Sequence, residues 1–512
     1  MQKIIKKYWF LALLISFDFL LRVINLEKLF YFTYDESIPA FVGRRLIIWH
    51  HIPLIGGATP LGFHLAPYFY WLLALILYVG HLNPIAWGWV GALLSVSTVV
   101  LIFFAGKIFV SKKVGITAAI LWTFSYLTNV YDRHFWALYW GSLLSLVAIL
   151  LLYQIQKGKE KLTLLLALVL AFGVHTDPSN LMLVFLSIIV WKLYKIPFKK
   201  TTILAILIFL ISFLPIMVFD LRHNFANTKP ITQFLTARDT NYSINLQSIS
   251  SNILIFPRVA SRLIYTFGDN EISKQYSYCR NFVAEKYQAM PSVFIVLTSL
   301  VLILFLVANI KNKKEQGWQL ITILILLYFF GITIYGTIFH ADIFEHYLTG
   351  LFAPLLLIFA KYISKLPKKV WIIAIALFIT FNLHKLLQAK NSTGLTYKKQ
   401  AIAYTMQEVG SKPFSLDSLS TCWKYSGYRY LFAVFGREPV KSYVDPNFAY
   451  LYGTTPVAAT HPDIVVSFIV HDFVPETTEF YTRYAALKSH EIKSSVFGNI
   501  EVIIMDNRSR WF

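Results

Sequence analysis

Long apolar runs recur along this chain, and they constrain its fold more than any other feature of the sequence. The first lies within residues 1–26, and the others fall at roughly 84–108, 114–130, 136–155, 161–175, 179–195, 201–219, 292–310, 318–338, 346–363 and 369–386. A helix of about 20 apolar residues crosses the hydrocarbon core of a bilayer. The sequence therefore predicts a polytopic helical membrane protein with about 11 transmembrane helices.

The composition supports this class and argues against a nucleic-acid partner. Hydrophobic residues make up 57% of the chain and charged residues 14%, whereas soluble domains carry about 25% charged residues. The net charge of +21 would suit a nucleic-acid-binding surface, but the lysines are concentrated in short turns between apolar runs. Lysines in such turns orient a membrane protein, so no nucleic-acid partner is predicted.

The turns between the apolar runs fall into two sets. Lysine-rich turns occur at 106–115, 154–161, 191–200, 310–316 and 361–369. The positive-inside rule places these turns and the basic N-terminus in the cytoplasm. We therefore predict an integral plasma (inner) membrane protein with an extracytoplasmic C-terminal domain. The segment 65–80 is predicted to lie at the outer interface, because a further span there would put the lysine-rich turns outside.

The character of the chain changes near residue 390. Residues 1–390 form the predicted transmembrane domain, with outer loops at 25–83 and 220–290. In 391–512, β-rich runs at 413–419, 438–444, 463–470 and 500–507 alternate with helix-like stretches near 397–409, 425–435 and 475–488. The predicted fold class is an all-α polytopic membrane protein with a C-terminal extracytoplasmic α/β domain. Cys279 and Cys422 are predicted outside the cytosol, as a disulfide or as two thiols.

Asp35 and Glu36 stand side by side just after the first apolar run. Carboxylates at a membrane face are costly unless they are hydrated or used. One could take a proton from an acceptor hydroxyl, because partial desolvation raises a carboxyl pKa and makes a better base. The other could hold a substrate hydroxyl or a cation. The alternative interpretation of the pair is a solvated loop or a helix N-cap.

Further polar residues collect at the predicted outer helix ends. They are Thr59, His64, Tyr68, Asp132, Arg133, His134, Arg222, His223, His346 and Tyr347. The arginines of the membrane half lie on this side, and a guanidinium can grip phosphate with two hydrogen bonds. The alternative interpretation is local pairing, which we favour for Arg133 with Asp132. Asp18 and Arg22 are predicted to pair within the first span, and Asp177 to cap a helix.

The stretches TYDE, TPLGFHLAPYFYW, FDLRHNF and EHYL together resemble the GT-C class of membrane glycosyltransferases. Within that class the chain most resembles the dolichyl-phosphate-mannose protein mannosyltransferase-like group, which includes lipid A aminoarabinose transferases. The resemblance covers about residues 1–390. It implies transfer of a sugar, with inversion, from a polyprenyl-phosphate donor to a hydroxyl or amine of a lipid, glycan or protein acceptor at the outer membrane face.

The resemblance also implies roles for particular residues. Asp35 matches the acidic residue that acts as base or holds the acceptor, and Glu36 stands beside it. By position, Arg222 and His346 would bind the donor phosphate, with Tyr347 beside them. Arg133 would join them, although DRHFWALYW departs from the pattern of relatives. The cleft would include the residues Thr59, His64, Tyr68, Asp132, His134 and His223.

Cofactors and competing functions complete the prediction. The spacing of potential ligand residues does not require a metal, and a divalent cation is left as an open possibility. Membrane lipids are further predicted partners. The alternative function is a secondary transporter or lipid flippase of envelope intermediates. Transporters place polar sites near the bilayer midplane, whereas polar residues here crowd one end of the spans. A ligase or polymerase of the cell envelope also remains open.

Overall fold

The computed structural model describes residues 2–59, 61–236, 246–267, 291–310, 315–338, 343–419, 427–442, 444, 462, 464–471 and 478–506. Cys279 and Cys422 lie outside these ranges, and so does the choice between a disulfide and two thiols. Much of the predicted outer loop 220–290 also lies outside them.

The first 390 residues are almost wholly helical where they are described. The helices before the second outer loop are α1 Gln2–Val23, α2 Leu26–Leu29, α3 Tyr34–Trp49, α4 Tyr68–Val79, α5 Ile85–Phe109, α6 Lys112–Phe124, α7 Tyr126–Asp132, α8 Gly141–Gln156, α9 Leu162–Thr176, α10 Leu181–Leu193, α11 Lys200–Ile211 and α12 Leu214–Arg222. Those that follow are α13 Thr228–Thr236, α14 Leu246–Ile264, α15 Ser292–Ile310, α16 Gln316–Ile338, α17 Thr349–Ile363 and α18 Lys368–Gln388. Short 3-10 helices occupy Ala137–Trp140, Pro178–Asn180 and Glu345–Leu348.

Each predicted apolar run coincides with one helix or with two consecutive helices, and the chain is a multi-pass membrane protein. Seven helical segments in the described part are long and apolar enough to cross a membrane. They are Ile85–Phe109, Ala137–Gln156, Lys200–Arg222, Ser292–Ile310, Gln316–Thr337, Glu345–Ile363 and Lys368–Gln388. Helix α4 has 12 residues and is therefore about 18 Å long, shorter than a hydrocarbon core of about 30 Å.

Contacts between turns divide the bundle into two ends. The lysine-rich turns and the N-terminal helix contact one another through Tyr8–Lys107, Lys113–Leu366, Glu160–Lys199 and Glu315–Lys361. The other turns contact one another through Arg22–Asp132, Glu36–His134, His64–Asn227 and Tyr131–Glu345. Helices run from one set of turns to the other, so the loop with Asp35 and Glu36 lies at the end of the bundle opposite the lysine-rich turns.

The chain leaves helical geometry at Ser125, between α6 and α7. Side chains satisfy the backbone groups that this break exposes, as a buried break in a membrane bundle requires. Asn129 donates to the carbonyls of Thr123 and Ser125 at 3.0 and 2.9 Å. Asn382 of α18 accepts from the Tyr126 N–H at 3.0 Å. The break is thereby fixed, and α7 ends at Asp132 beside the acidic loop.

The C-terminal residues form an α/β domain, as predicted. Its sheet has the order β2-β1-β3-β5-β4, with β1 parallel to β2 and β3, and β5 antiparallel to β3 and β4. The strands are β1 Phe414–Ser418, β2 Lys441–Ser442, β3 Ile464–Val470, β4 Glu491–Phe497 and β5 Ile500–Asp506, and the helices are α19 Leu395–Val409, α20 Tyr428–Phe435 and α21 Thr478–Ser489.

Strand β4 was missing from the sequence prediction. It is the edge strand of the sheet, and its sequence EIKSSVF alternates with little regularity between exposed and half-buried positions. An edge strand with one open side tolerates charged residues, so the apolar run that marks a central strand is absent. Strands β1, β3 and β5, which the sequence did predict, all contain buried apolar residues.

The C-terminal domain and the segment 25–83 share one hydrophobic core. Phe32, Phe41 and Trp87 of the membrane half belong to the same buried cluster as Leu416 and Val502 of the sheet. Burial of apolar surface stabilises such a contact by about 25 cal/mol per Å². The loop that carries the acidic pair is therefore held between the bundle and the C-terminal sheet.

Candidate active site

The acidic pair lies at the N-terminus of α3, where Thr33 is the N-cap. Both the backbone N–H and the hydroxyl of Thr33 donate to Glu36 Oε2, at 2.9 and 2.7 Å. This is a capping box, in which a Thr and a Glu three residues later satisfy the first turn. Glu36 is fully buried. The T-x-x-E spacing was present in the sequence and could have separated its structural role from that of Asp35.

His134 contacts the second oxygen of Glu36. Its Nδ1 lies against Glu36 Oε1, and its ring stacks on Tyr31 with centroids 5.0 Å apart. Burial alone would raise the pKa of Glu36, but His134 and the hydrogen bonds from Thr33 outweigh burial and hold that pKa below its usual value. Glu36 is therefore an anchored carboxylate whose two oxygens are both engaged.

Asp35 differs from Glu36 in burial and in bonding. Its side chain is partly exposed, and none of the residues that the structure describes forms a hydrogen bond with its carboxyl group. Burial and, to a smaller extent, the Glu36 charge raise the pKa of Asp35, His134 offsets part of the rise, and the resulting pKa is about 7. A carboxyl group that titrates near neutrality and has unused oxygens is suited to accept a proton.

A second buried acid lies close to this loop. Glu345 Oε1 accepts from the Tyr131 hydroxyl at 2.9 Å, and Glu345 Oε2 lies 2.8 Å from Nε of Arg262. Arg262 lies on α14, which is strongly amphipathic. This helix packs against α15, α16 and α17. Sequence reasoning placed Glu345 and Arg262 among the outer polar residues but did not pair them, because residues 83 apart in sequence show no common pattern.

Arg22 organises the end of the first helix. It contacts Asp18 and Asp132 at 2.8 Å each, and it donates to the Thr123 carbonyl at 3.0 Å beside the break at Ser125. The predicted Asp18–Arg22 pair is confirmed. The favoured pairing of Arg133 with Asp132 is wrong, because Asp132 is engaged by Arg22.

Arg133 occupies a buried position next to this network. Its guanidinium donates to the Leu21 carbonyl at 2.5 Å, and its Nε has no hydrogen-bond partner among the described residues. Sequence spacing suggested a local pair with Asp132, but the α1 backbone ends close enough to take the hydrogen bond instead.

His346 and Tyr347 follow Glu345 directly and lie among aromatic rings. The His346 ring packs 4.8 Å from Trp136 and 5.2 Å from Phe344. Nearby, Tyr131, Asp132, His134, Trp136 and Tyr139 line part of a cavity with about 370 Å³ of empty space, open space at its edge included. His134, His346 and the acidic loop therefore converge on one region.

Thr59, His64 and Tyr68 lie in a different arrangement. The Thr59 hydroxyl donates to the Phe63 carbonyl at 2.8 Å within a tight turn. The His64 backbone exchanges hydrogen bonds of 2.6 and 3.0 Å with the Asn227 side chain, which joins the loop before α4 to the loop after α12. Tyr68 packs beside His175, with ring centroids 5.4 Å apart. These contacts tie Thr59 and His64 to the loops and Tyr68 to α9.

Arg222 and His223 are exposed at the end of α12. His223 Nδ1 lies 2.8 Å from the Phe219 carbonyl, and its ring stacks on Phe219. The Arg222 guanidinium has no polar partner in the described part of the chain. No described contact joins either residue to the acidic pair.

The predicted cap by Asp177 is confirmed, because its carboxylate accepts from the Ser179 N–H at 2.8 Å.

Within the described residues, no three His, Cys, Asp or Glu side chains converge in a way that could hold a metal ion. Three carboxylates of the site, those of Glu36, Asp132 and Glu345, are instead engaged by His134, Thr33, Tyr131 and arginines.

The arrangement of the helical bundle, the short helices at its end and the C-terminal α/β domain matches the GT-C fold. The chain is similar to ArnT from Cupriavidus metallidurans bound to undecaprenyl phosphate, with a TM-score of 0.55 and 8% identity over 97% of this chain and 98% of that one. It is also similar, more weakly, to the archaeal oligosaccharyltransferase AglB from Archaeoglobus fulgidus in complex with an inhibitory peptide and a dolichol-phosphate. That likeness has a TM-score of 0.48 and 12% identity over 99% of this chain and 75% of that one. No family model matches the chain, and no curated protein matches it.

Proposed function

We propose that this protein is a glycosyltransferase that moves a sugar from a polyprenyl-phosphate donor to an acceptor hydroxyl or amine at the outer membrane face. The observation that carries the proposal is the partly exposed Asp35 carboxyl, which no described residue bonds, beside the anchored Glu36–His134 pair. The fold shared with ArnT, which was crystallised with undecaprenyl phosphate, supports a lipid-phosphate donor.

In the proposed reaction, ionised Asp35 accepts the proton of the acceptor group as its oxygen or nitrogen attacks C1 of the sugar. The bond from C1 to the phosphate oxygen breaks, and its electron pair leaves with the lipid phosphate. Attack opposite the leaving group inverts the configuration at C1, as in glycoside transfer through an oxocarbenium-like transition state. Glu36 keeps the helix N-terminus in place, since both of its oxygens are already bonded.

The negative charge that develops on the phosphate requires donors aimed at it. Arg222 is proposed to bind this phosphate, because its guanidinium is exposed at a helix end where a lipid headgroup would lie. His346 and Tyr347 are proposed as further donors beside the aromatic rings of the cavity region. Arg133 is a weaker candidate, because a carbonyl already accepts from it.

The remaining cleft residues have unequal support. His134 contacts Glu36 through Nδ1, and we propose that its other ring nitrogen contacts the substrate. Asp132 is engaged by Arg22, Thr59 and His223 by their own segments, His64 by Asn227, and Tyr68 by the His175 ring. For these five residues we propose a role in shaping the cleft rather than in the transfer step.

The orientation of the chain follows from the charge of its turns. Lysine-rich turns at one end of the bundle support a cytoplasmic N-terminus, a plasma (inner) membrane location and an extracytoplasmic C-terminal domain. Single cysteines introduced at Asn83 and Ser111 test this orientation with an impermeant thiol reagent. We expect labelling at Asn83 in intact cells and none at Ser111, and labelling at Ser111 would reverse the topology.

The transfer reaction is tested by incubating membranes that contain the protein with radiolabelled polyprenyl-phosphate hexoses and pentoses. We expect label to move from the lipid to an acceptor with wild-type protein and not with Asp35→Asn, although both are inserted equally. Label that crosses the membrane still attached to its lipid would instead identify a flippase.

A further inference from the structure

The C-terminal domain rests directly on the loop that carries the acidic pair. Tyr430 donates to the Leu82 carbonyl at 2.7 Å, and Arg44 of α3 lies 3.0 Å from Glu438. The Phe32 ring packs against Tyr430, with centroids 5.6 Å apart. The domain therefore contacts both flanks of α3.

Lys398 on α19 is the most enclosed cation of this contact. Its side chain is 2% exposed, and its ammonium donates to the carbonyl oxygen of Phe32. The same ammonium lies 5.1 Å from the centroid of the Tyr428 ring. Burying an ammonium without a hydrogen bond costs free energy. The hydrogen bond to the Phe32 carbonyl offsets part of that cost at this position.

That carbonyl belongs to the same peptide group as the Thr33 N–H. The Thr33 N–H donates to Glu36 Oε2 at 2.9 Å, and the other Glu36 oxygen contacts His134. A peptide group is planar, so a bond at its carbonyl fixes the direction of its N–H. Hydrogen bonds in series also polarise one another. One peptide thus links the C-terminal domain to the first turn of α3.

We propose that Lys398 is a positioning residue through which the C-terminal domain holds the Phe32–Thr33 peptide and, with it, the acidic pair. This inference rests on the proposed function, because it assigns the C-terminal domain a part in the reaction at Asp35. Loss of the ammonium lets the peptide rotate, loosens the Thr33–Glu36 capping box and moves Asp35 relative to the acceptor. Misplacement of a reacting group by about 1 Å costs about 100-fold in rate.

The neighbouring Lys399 provides a matched control. It lies on the same helix at the same interface, but its ammonium pairs with Glu27 at 2.6 Å and is partly exposed. Replacing either lysine by methionine removes one positive charge and keeps a similar side-chain length. The two variants therefore differ in whether the Phe32–Thr33 peptide loses its donor.

The experiment measures kcat and donor KM for wild type, Lys398→Met, Lys398→Gln and Lys399→Met, each checked for intact folding by thermal unfolding in detergent. We expect Lys398→Met to lower kcat by about 10- to 100-fold with donor KM within about twofold, because the donor site is untouched. Lys398→Gln keeps an N–H donor and should lie between wild type and Lys398→Met. Lys399→Met should match wild type.

Three outcomes overturn the inference: an unchanged kcat in folded Lys398→Met, equal losses in both lysine variants, or a Lys398→Gln rate outside the expected order. If Lys398→Met does not fold, the comparison of Lys398→Gln with Lys399→Met decides. Asp35→Asn is measured in the same assay. Activity in that variant contradicts the proposed function itself, whereas an inactive Asp35→Asn with a normal Lys398→Met contradicts only the positioning role.

Discussion

Replacing Asp35 by asparagine should stabilise the folded protein at alkaline pH while it abolishes sugar transfer. The folded protein holds the Asp35 proton more tightly than the unfolded chain does, because burial and the Glu36 charge oppose ionisation. Ionised Asp35 therefore weakens the fold. This penalty is absent below the unfolded pKa of 3.8 and grows until the pH passes the folded pKa of about 7.

The magnitude follows from the two pKa values. The difference between 3.8 and about 7, at about 1.4 kcal/mol for each tenfold change in proton affinity, corresponds to about 4 kcal/mol at pH 8. The side chain is partly exposed, so solvent screens part of this, and about 2 kcal/mol is the expected gain. For a chain of this size that gain raises Tm by roughly 2–4 °C.

The assay is thermal unfolding of wild type and Asp35→Asn in detergent at pH 8 and pH 5, at one fixed heating rate. The gain in Tm should be clear at pH 8 and less than half as large at pH 5, where wild-type Asp35 is mostly protonated. In parallel, the wild-type kcat should fall about tenfold per pH unit below about pH 7, as Asp35 becomes protonated.

A lower Tm for Asp35→Asn at pH 8 would show that the carboxylate is bonded in the fold. A gain that is equal at both pH values would show that ionisation of Asp35 is not its cause. Wild-type transfer activity in Asp35→Asn removes Asp35 as the base, whatever the stability result.

Other substitutions test neighbouring parts of the site. Glu36→Gln removes a charge that raises the pKa of Asp35, so the pH of half-maximal kcat should fall, and an unmoved pH profile contradicts this coupling. Arg222→Ala should raise donor KM more than it lowers kcat, and an unchanged KM removes its phosphate role. Glu345→Gln removes the carboxylate 2.8 Å from the buried Arg262 and should destabilise the fold by about 3 kcal/mol; an unaltered Tm would show that this pair contributes nothing.

Asp35 and Glu36 are adjacent in the sequence but differ in the structure. Both carboxylates were singled out from their position after the first span, but their adjacency gave no way to divide their roles. The structure separates them because α3 turns Glu36 toward Thr33 and His134 and leaves Asp35 partly exposed.

Asp132 shows the opposite case. Its neighbour Arg133 was the favoured partner, yet Arg22, 110 residues earlier in the chain, engages it. A buried arginine at a helix end pairs with the carboxylate that helix packing brings next to it. Packing between helices that are distant in the chain cannot be read from the local sequence.

The sequence by itself determined the membrane class, the helical segments, the alternation of charged turns and most strands of the C-terminal sheet, because hydrophobicity, charge and short periodicities act locally along the chain. Only the tertiary structure decided which distant residues meet: Arg22 with Asp132, Glu345 with Arg262, and Lys398 with the Phe32–Thr33 peptide. Those contacts depend on how rigid helices of fixed length cross and pack. That geometry is a property of the whole chain rather than of any segment.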